Sequence, residues 1–248
     1  MAESSEEKKN PEGYQKPEVF CVPVQRRQTE RGILGLGEGV EESRKEEWYL
    51  PKAEALGDGV SSHVHKACKS NHDCDYVMKI ILFNPEVFPD TPHFKLLYWF
   101  KNTRDNFLKE VKLHKEAFDL NVAPEIIDSW ICENPYMGVI IMTAMERTLE
   151  DVLIDPNVSA DEKKRYIKDA MKILIRLREH NIFHGDAHPK NFMVDSNGTL
   201  KIIDFGLSEK AITPLDFLFL KDRLYELSEK EPVLIDILQS MFDRSQNS

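Results

Sequence analysis

The chain has 248 residues, of which 41% are hydrophobic and 31% charged, and its formal net charge is −10. This length allows one domain or two small lobes with a real core, and the composition is typical of an ordinary soluble globular protein. The negative charge disfavours non-specific binding to nucleic acid, which requires a positive surface, so there is no strong nucleic-acid signal.

Residues 1–46 are rich in charged and small polar side chains without an apolar period, which predicts a flexible or loosely docked N-terminal arm. Gly35 to Val40 superficially resembles a nucleotide-binding loop. We interpret it as a linker, because the charged run behind it cannot form the strand that such a loop enters.

The N-terminus has no apolar signal-peptide core, and no apolar stretch approaches the ~20 residues that span a bilayer. We therefore expect an intracellular, cytoplasmic protein without membrane contact, with the nucleus, or a host cell if the protein is viral, as alternatives. The four cysteines, Cys21, Cys68, Cys74 and Cys132, form no CxxC pair. Reduced thiols are the expectation, and a metal clip between Cys68 and Cys74 is the weaker alternative.

Residues 47–145 predict a small sheet with a helix. Runs of β-branched and aromatic residues between turn signals predict five strands, at 48–56, around 60–67, at 76–82, at 125–132 and at 137–142. After a proline-containing stretch, an extra helix is expected at 94–100. Apolar residues at helical spacing predict a further helix at 106–120.

Residues 146–248 predict mainly helices. Ser159 followed by Glu162 indicates a capping box at the start of a helix that ends near His180. Two short strands follow, near 192–194 and 200–203, and Asn197-Gly198 between them favours a type I′ turn. The stretch from Pro214 to Phe242 predicts two amphipathic helices.

The segment from His184 to Gly206 carries the main chemical signal. Asp186 and Asn191 lie five residues apart, and Asp204 follows after the predicted hairpin. This layout is typical of phosphoryl transfer, in which one carboxylate meets the attacking hydroxyl while an amide and a second carboxylate hold Mg²⁺ on nucleotide phosphates. Asp186 is the predicted catalytic group, and Asn191 and Asp204 are the predicted metal ligands. The alternative is that these side chains only cap local turns.

A second group of candidates lies in the first half of the chain. The backbone of Gly57 and Gly59 is expected to approach phosphates, and Val64 to cover the adenine. Lys79, in an apolar strand, is expected to contact phosphates and to pair with a helix carboxylate. Glu110 is the favoured partner and Glu116 the alternative. For Lys79 itself the alternative is a surface-facing lysine on an edge strand.

These motifs resemble the protein-kinase superfamily over about residues 56–227. The resemblance implies an α+β, bilobal fold, with a five-stranded antiparallel N-lobe sheet plus a helix at 47–145 and a reduced helical C-lobe at 146–248. It implies ATP and Mg²⁺ as cofactors. It also adds residues to the nucleotide site: Leu56 in the glycine loop, Met142 as the gatekeeper, and Thr143, Ala144 and Met145 as the hinge that holds adenine.

Several differences from ordinary protein kinases indicate which branch of the superfamily the chain resembles. Gly185 replaces the arginine of ordinary protein kinases, Ser62 replaces a loop glycine, and His188 stands where a lysine is expected. Lys190 is the candidate that supplies the missing catalytic charge. No Ala-Pro-Glu follows Gly206. The compact plan is similar to RIO-type kinases and to the kinase subunit of the KEOPS complex, and the His-Gly-Asp loop is similar to that of aminoglycoside and choline phosphotransferases.

The resemblance therefore implies an atypical serine/threonine kinase that uses ATP to phosphorylate a protein, including itself. A small-molecule kinase and a pseudokinase or nucleotide-binding module are the alternatives. The reduced C-lobe also predicts an accessory protein that completes the substrate platform.

Overall fold

The computed structural model describes residues 14–15, 48, 50–51, 55–58, 62–69, 74–83, 103–133 and 136–242. The chain divides into two compact units, one of Met1–Arg104 with Asp128–Met142 and one of Asp105–Ile127 with Thr143–Ser248. The predicted linker at 35–40, the extra helix at 94–100 and the loop residue Gly59 lie outside the described residues.

The first unit contains most of the strands. In chain order these are β1 (Tyr14–Gln15), β2 (Leu50–Pro51), β3 (Ala55–Asp58), β4 (Ser62–Ala67), β5 (Tyr76–Leu82), β6 (Ile126–Glu133) and β7 (Tyr136–Thr143). Five of them form one sheet in the order β3-β4-β5-β7-β6, in which the β3–β4 and β4–β5 pairs are antiparallel.

The first predicted strand, at 48–56, is wrong in its extent. The strand that joins the sheet begins at Ala55, and its register with β4 shifts between Ala55 and Gly57. Leu50 and Pro51 pair instead with Tyr14 and Gln15, so the N-terminal arm contributes one short strand. A run of strand-forming residues does not reveal which partner each part of it will pair with.

The expectation of reduced thiols is also wrong for the described cysteines. Cys68 and Cys74 form a disulfide, and Cys132 is disulfide-bonded as well. The register of the β4–β5 hairpin, in which Ala67 pairs with Tyr76, brings the two ends of the connecting loop together. The Cα atoms of Cys68 and Cys74 are consequently 3.9 Å apart.

The second unit contains the helices and several short strands. In chain order they are α1 (Arg104–Asp119), β8 (Arg147–Thr148), α2 (Leu149–Ile154), α3 (Ala160–Glu179), β9 (Ile182–Phe183), β10 (Phe192–Val194), β11 (Leu200–Ile202), β12 (Glu209–Lys210), α4 (Leu215–Ser228) and α5 (Val233–Phe242). All five helices contribute buried side chains to one apolar core. Fully buried members of this core include Leu149, Ile167, Phe192 and Leu224. None of the helices in the described ranges combines the length and apolar character needed to cross a membrane.

Helix α3 begins at the predicted cap, but only the Ser159 half of the predicted capping box forms. The Ser159 Oγ accepts a hydrogen bond from the N–H of Glu162 at 3.2 Å, which satisfies one free donor of the first turn. The Glu162 carboxylate lies 3.7 Å from Arg165. A reciprocal capping box occurs instead at the start of α2, between Thr148 and Asp151.

The β10–β11 hairpin positions the segment from His184 to Gly206. Phe192 pairs with Ile202, and the N–H of Ile203 donates to the carbonyl of Asn191 at 2.8 Å. The predicted type I′ turn is wrong, because Gly198 has a φ of 74° while Asn197 has no positive φ. The hairpin nevertheless brings Asn191 and the residue before Asp204 side by side.

Candidate active site

Asp186 lies on the loop between β9 and β10, with one carboxylate oxygen held and the other open. The Asn191 Nδ2 donates to Oδ2 of Asp186 at 3.0 Å and to its backbone carbonyl at 2.9 Å. The His188 Nε2 lies 3.5 Å from the same Oδ2. Within the described part of the chain, no group donates to Oδ1. The carboxylate is thus oriented with one oxygen available to an acceptor hydroxyl.

The charged form of Asp186 is favoured. Burial raises the pKa of this carboxyl, but the neighbouring His188 ring outweighs burial, so the pKa lies below its usual value. An ionised carboxylate is the form that accepts a proton from a hydroxyl.

Asn191, one of the two predicted metal ligands, lies against Asp186. Its side chain is 8% exposed and uses its amide nitrogen to hold Asp186. The amide oxygen, which accepts no hydrogen bond from the described residues, is then the group available to a cation. Oxygen ligands of this kind suit Mg²⁺.

His184 is a structural part of the same loop. Its Nδ1 accepts the N–H of Asp186 at 3.3 Å and its Nε2 lies 3.0 Å from the carbonyl of Ile203. A neutral ring protonated on Nε2 satisfies both contacts. Complete burial lowers the pKa of His184, against the opposing charge of Asp216, which also favours the neutral ring.

Asp216 fixes the start of this loop from α4. Its two carboxylate oxygens accept the N–H groups of His184 at 2.7 Å and Gly185 at 3.0 Å. Burial raises the pKa of Asp216, and the two N–H donors oppose that rise. The sequence analysis missed this role. The available signal was a single acidic residue in the first turn of an otherwise apolar helix segment, Leu215 to Leu220.

The backbone conformation and the close packing at Gly185 leave no room for a side chain. Its φ is 82°, and an added β-carbon would lie 2.6 Å from the carbonyl oxygen of Leu207. A side chain therefore meets both an unfavourable backbone conformation and a fixed backbone atom. This close approach explains why the arginine expected at this position is absent.

Asp204 begins the short 3-10 turn Phe205–Leu207 in a left-handed conformation, with φ 66° and ψ 73°. Aspartate tolerates this region better than most residues, but it is still strained, and such strain is concentrated at functional sites. Phe205 is fully buried, and its ring lies 5.0 Å from the rings of both His114 and His184. The buried ring anchors Asp204 against α1 and against the loop that carries His184.

Glu110 and Glu116, the two candidate partners of Lys79, have different environments. Glu110 is 5% exposed, and a β-carbon added to Gly206 would lie 3.4 Å from its Oε2. Glu116 forms an ion pair with Lys210 on β12. Glu110 thus lies beside the Asp204-Phe205-Gly206 turn, whereas Glu116 is paired with Lys210.

In the first unit, three predicted nucleotide-site residues form one row across the sheet. Gly57 on β3 pairs with Val64 on β4, and Val64 pairs with Lys79 on β5. Directly opposed residues share a face of the sheet. Lys79 is 7% exposed and β5 lies between β4 and β7, so the surface-lysine alternative is excluded. Leu56 lies on β3, beside Gly57.

The predicted hinge begins where β7 ends. Met142 is buried, and the N–H of Thr143 donates to the carbonyl of Glu125 at 3.0 Å. Among the described residues, the backbone of Ala144 and Met145 forms no hydrogen bond. Both residues are half-buried.

Lys190 is not where the sequence analysis expected the catalytic charge. Its Nζ lies 3.8 Å from Glu150, its only side-chain partner in the described part of the chain. The side chain remains largely exposed and makes no contact with Asp186 there. His188, which the sequence analysis treated as a departure, is the basic residue beside Asp186.

Comparison with known proteins shows which family model the chain matches. Residues 50–219, more than half of the chain, match the family model described as protein kinase domain. Cyclin-dependent kinase D-1 of Oryza sativa subsp. japonica is 31% identical over 164 residues, which cover 64% of this chain and 34% of that protein. Dual specificity protein kinase shkA of Dictyostelium discoideum is 28% identical over 194 residues, covering 76% of this chain and 32% of that protein. The chain spans about a third of the length of these relatives.

Proposed function

The chain belongs to the protein kinase family, and on that premise we propose that it transfers the γ-phosphoryl group of ATP to a serine or threonine hydroxyl of a protein. One observation carries this proposal more than any other. Oδ2 of Asp186 is held by Asn191 at 3.0 Å, and Oδ1 accepts no hydrogen bond from the described residues. An oriented, ionised carboxylate on this loop is what the acceptor hydroxyl requires.

The chain's own residues supply alignment rather than covalent chemistry. Asp186 orients the hydroxyl and accepts its proton late in the transfer. Lys79 contacts the ATP phosphates, and Ala144 and Met145 hold the adenine edge.

Asn191 and Asp204 would hold Mg²⁺. The donor set fits, since it offers one amide oxygen and one carboxylate, and hard oxygen ligands are those that Mg²⁺ prefers. When bound, the ion neutralises charge on the phosphates.

We further propose that the kinase is of an atypical kind, with a His-Gly-Asp loop. Gly185 excludes the arginine that clamps an activation-loop phosphate in ordinary kinases, and its close contact with Leu207 supports this restriction. Only residues 207–214 connect the Asp204-Phe205-Gly206 turn to α4. Such a short connection supports a likeness to the RIO-type and KEOPS-complex kinases, with a protein acceptor that includes serines and threonines of the chain's own arm.

The test uses γ-labelled ATP with Mg²⁺ and compares wild type with Asp186→Ala. Loss of an acid–base group reduces the rate by about 10²–10⁴-fold. Asp222→Ala, an exposed carboxylate on α4, is the matched control and should retain the wild-type rate. Label on protein that disappears in Asp186→Ala supports the proposal. Label on an added aminoglycoside or choline supports the small-molecule alternative, and ATP binding without transfer indicates a pseudokinase.

A further inference from the structure

His188 opens the 3-10 turn Pro189–Asn191, two residues after the catalytic aspartate. Its Nδ1 accepts the N–H of Lys190 at 3.2 Å. A backbone N–H can only donate, so a neutral His188 ring that makes this contact carries its proton on Nε2. With Nδ1 occupied by this contact, the Nε2–H group is the donor that points away from the N–H of Lys190.

The Nε2 side of the ring lies next to Asp186. Nε2 of His188 lies 3.5 Å from Oδ2 of Asp186, and Nδ2 of Asn191 lies 3.0 Å from the same oxygen. A ring held at this distance adds to the restriction that the Asn191 donor places on rotation of the carboxylate. Both act on Oδ2, so the restriction also determines that Oδ1 is the oxygen left for the acceptor.

His188 also borders a cavity of about 550 Å³. Glu150 on α2, Lys190 on the turn, and Arg223 and Glu226 on α4 form other parts of its wall. A volume of this size suits a bound side chain or small group. An acceptor that enters the cavity would touch the ring that orients Asp186.

We propose that His188 is a positioning residue, which fixes the Asp186 carboxylate by donating from Nε2 to Oδ2 and so presents Oδ1 to the acceptor hydroxyl. This inference rests on the proposed kinase function. It assigns to His188 the place beside Asp186 that the sequence suggested for Lys190, whose Nζ lies against Glu150.

Three substitutions separate positioning from capping. His188→Asn keeps a short side-chain oxygen that can cap the N–H of Lys190 but has no group that reaches Asp186. His188→Gln carries an amide donor on a longer side chain, and His188→Ala removes both functions. His180→Asn, at the exposed end of α3, is the control for loss of an imidazole.

We expect His188→Asn to lower kcat on the order of 10²-fold, as misplacement of a catalytic group does, with KM for ATP within about twofold of wild type. Its melting temperature should match wild type, and His188→Gln should recover part of kcat. His180→Asn should retain full kcat. A wild-type kcat in His188→Asn would overturn the proposal, as would a kcat that falls only in step with the melting temperature.

A readout independent of activity separates this inference from the proposed function. The ¹⁵N shifts of the His188 ring should show the Nε2–H tautomer in wild type, and the Nε2 signal should move in Asp186→Ala. If wild type transfers no phosphate but these shifts behave as stated, the function fails while the contact holds. A ring signal that is identical in wild type and Asp186→Ala contradicts the contact itself.

Discussion

Gly185 and Gly198 make a matched pair for measuring how tightly the catalytic loop is packed. Both have a left-handed backbone, with φ of 82° and 74°. An added β-carbon at Gly198 meets only the Tyr166 hydroxyl, at 3.7 Å, whereas at Gly185 it meets the carbonyl of Leu207 at 2.6 Å. Alanine at either position has the same kind of backbone strain, but only Gly185→Ala also forces a backbone shift.

We therefore expect Gly198→Ala to lower the free energy of unfolding by about 1–3 kcal/mol, the usual effect of such backbone strain. Gly185→Ala should lower it further and should also reduce phosphate transfer. Urea denaturation of both variants measures the difference. Equal losses of stability would show that the backbone near Leu207 moves away from the new β-carbon without a loss of folding free energy.

Asp216 gives a second test at the level of one residue. Asp216→Asn keeps the shape of the side chain but presents an N–H₂ group to one of two N–H donors that now lie at 2.7 and 3.0 Å. A buried donor left without an acceptor costs about 1–3 kcal/mol. Thermal unfolding should show this loss, while Asp222→Asn on the exposed side of the same helix should be neutral. A melting temperature unchanged by Asp216→Asn would contradict the role assigned to this carboxylate.

His184 links stability to pH. Burial lowers its pKa in the folded protein, so the unfolded chain takes up the proton first. The stability associated with neutral His184 is therefore complete above about pH 6.5 and is lost as the pH falls below that value. The urea midpoint of wild type should fall more between pH 7.5 and 5.5 than that of His184→Gln. Parallel pH profiles of the two proteins would contradict this account.

Among the elements, the helices and the β10–β11 hairpin were the easiest to predict from the sequence. The apolar spacing of α3 and the Ser159 cap specify its start locally, and the structure confirms both. The two helices expected between Pro214 and Phe242 are also present, as α4 and α5. Local patterns suffice for these elements because most of their hydrogen bonds are made within the element.

Elements that depend on partners far away in the chain were harder to predict from the sequence. The pairing of β1 with β2 joins residues 14–15 to 50–51, and no local pattern indicates that register. The disulfide at the β4–β5 turn likewise depends on the exact hairpin register. Spacing alone left Cys68 and Cys74 as thiols in a loop.

This disulfide should stabilise the β4–β5 hairpin. Closing a loop this short contributes roughly 2 kcal/mol in the chain-entropy model. The double variant Cys68→Ser/Cys74→Ser should melt at a lower temperature than wild type, and reductant should lower the wild-type melting temperature more than that of the variant. Identical responses to reductant would show that the Cys68–Cys74 bond contributes nothing to stability.

At the scale of the whole molecule, the sequence predicted candidate residues but not the contacts between them. It predicted Asp186, Asn191 and Asp204 from spacing, because a short hairpin between them leaves few arrangements. It could not predict that Asp216 holds the loop from α4, since 31 residues separate Asp216 from Gly185. It named Lys190 as the basic group of the site and treated His188 only as a departure, because spacing does not reveal side-chain direction.

The central claim is that Asp186, Asn191 and Asp204 form one site for ATP with Mg²⁺. Calorimetric titration with ATP, with and without Mg²⁺, tests it most directly when wild type is compared with Asp204→Asn, which keeps the size of the side chain and tolerates the left-handed backbone. We predict that Mg²⁺ tightens ATP binding to wild type by about tenfold or more, equivalent to about 1.4 kcal/mol, and that Asp204→Asn loses this gain. An equal effect of Mg²⁺ on both proteins, or no ATP binding by wild type, would contradict the account.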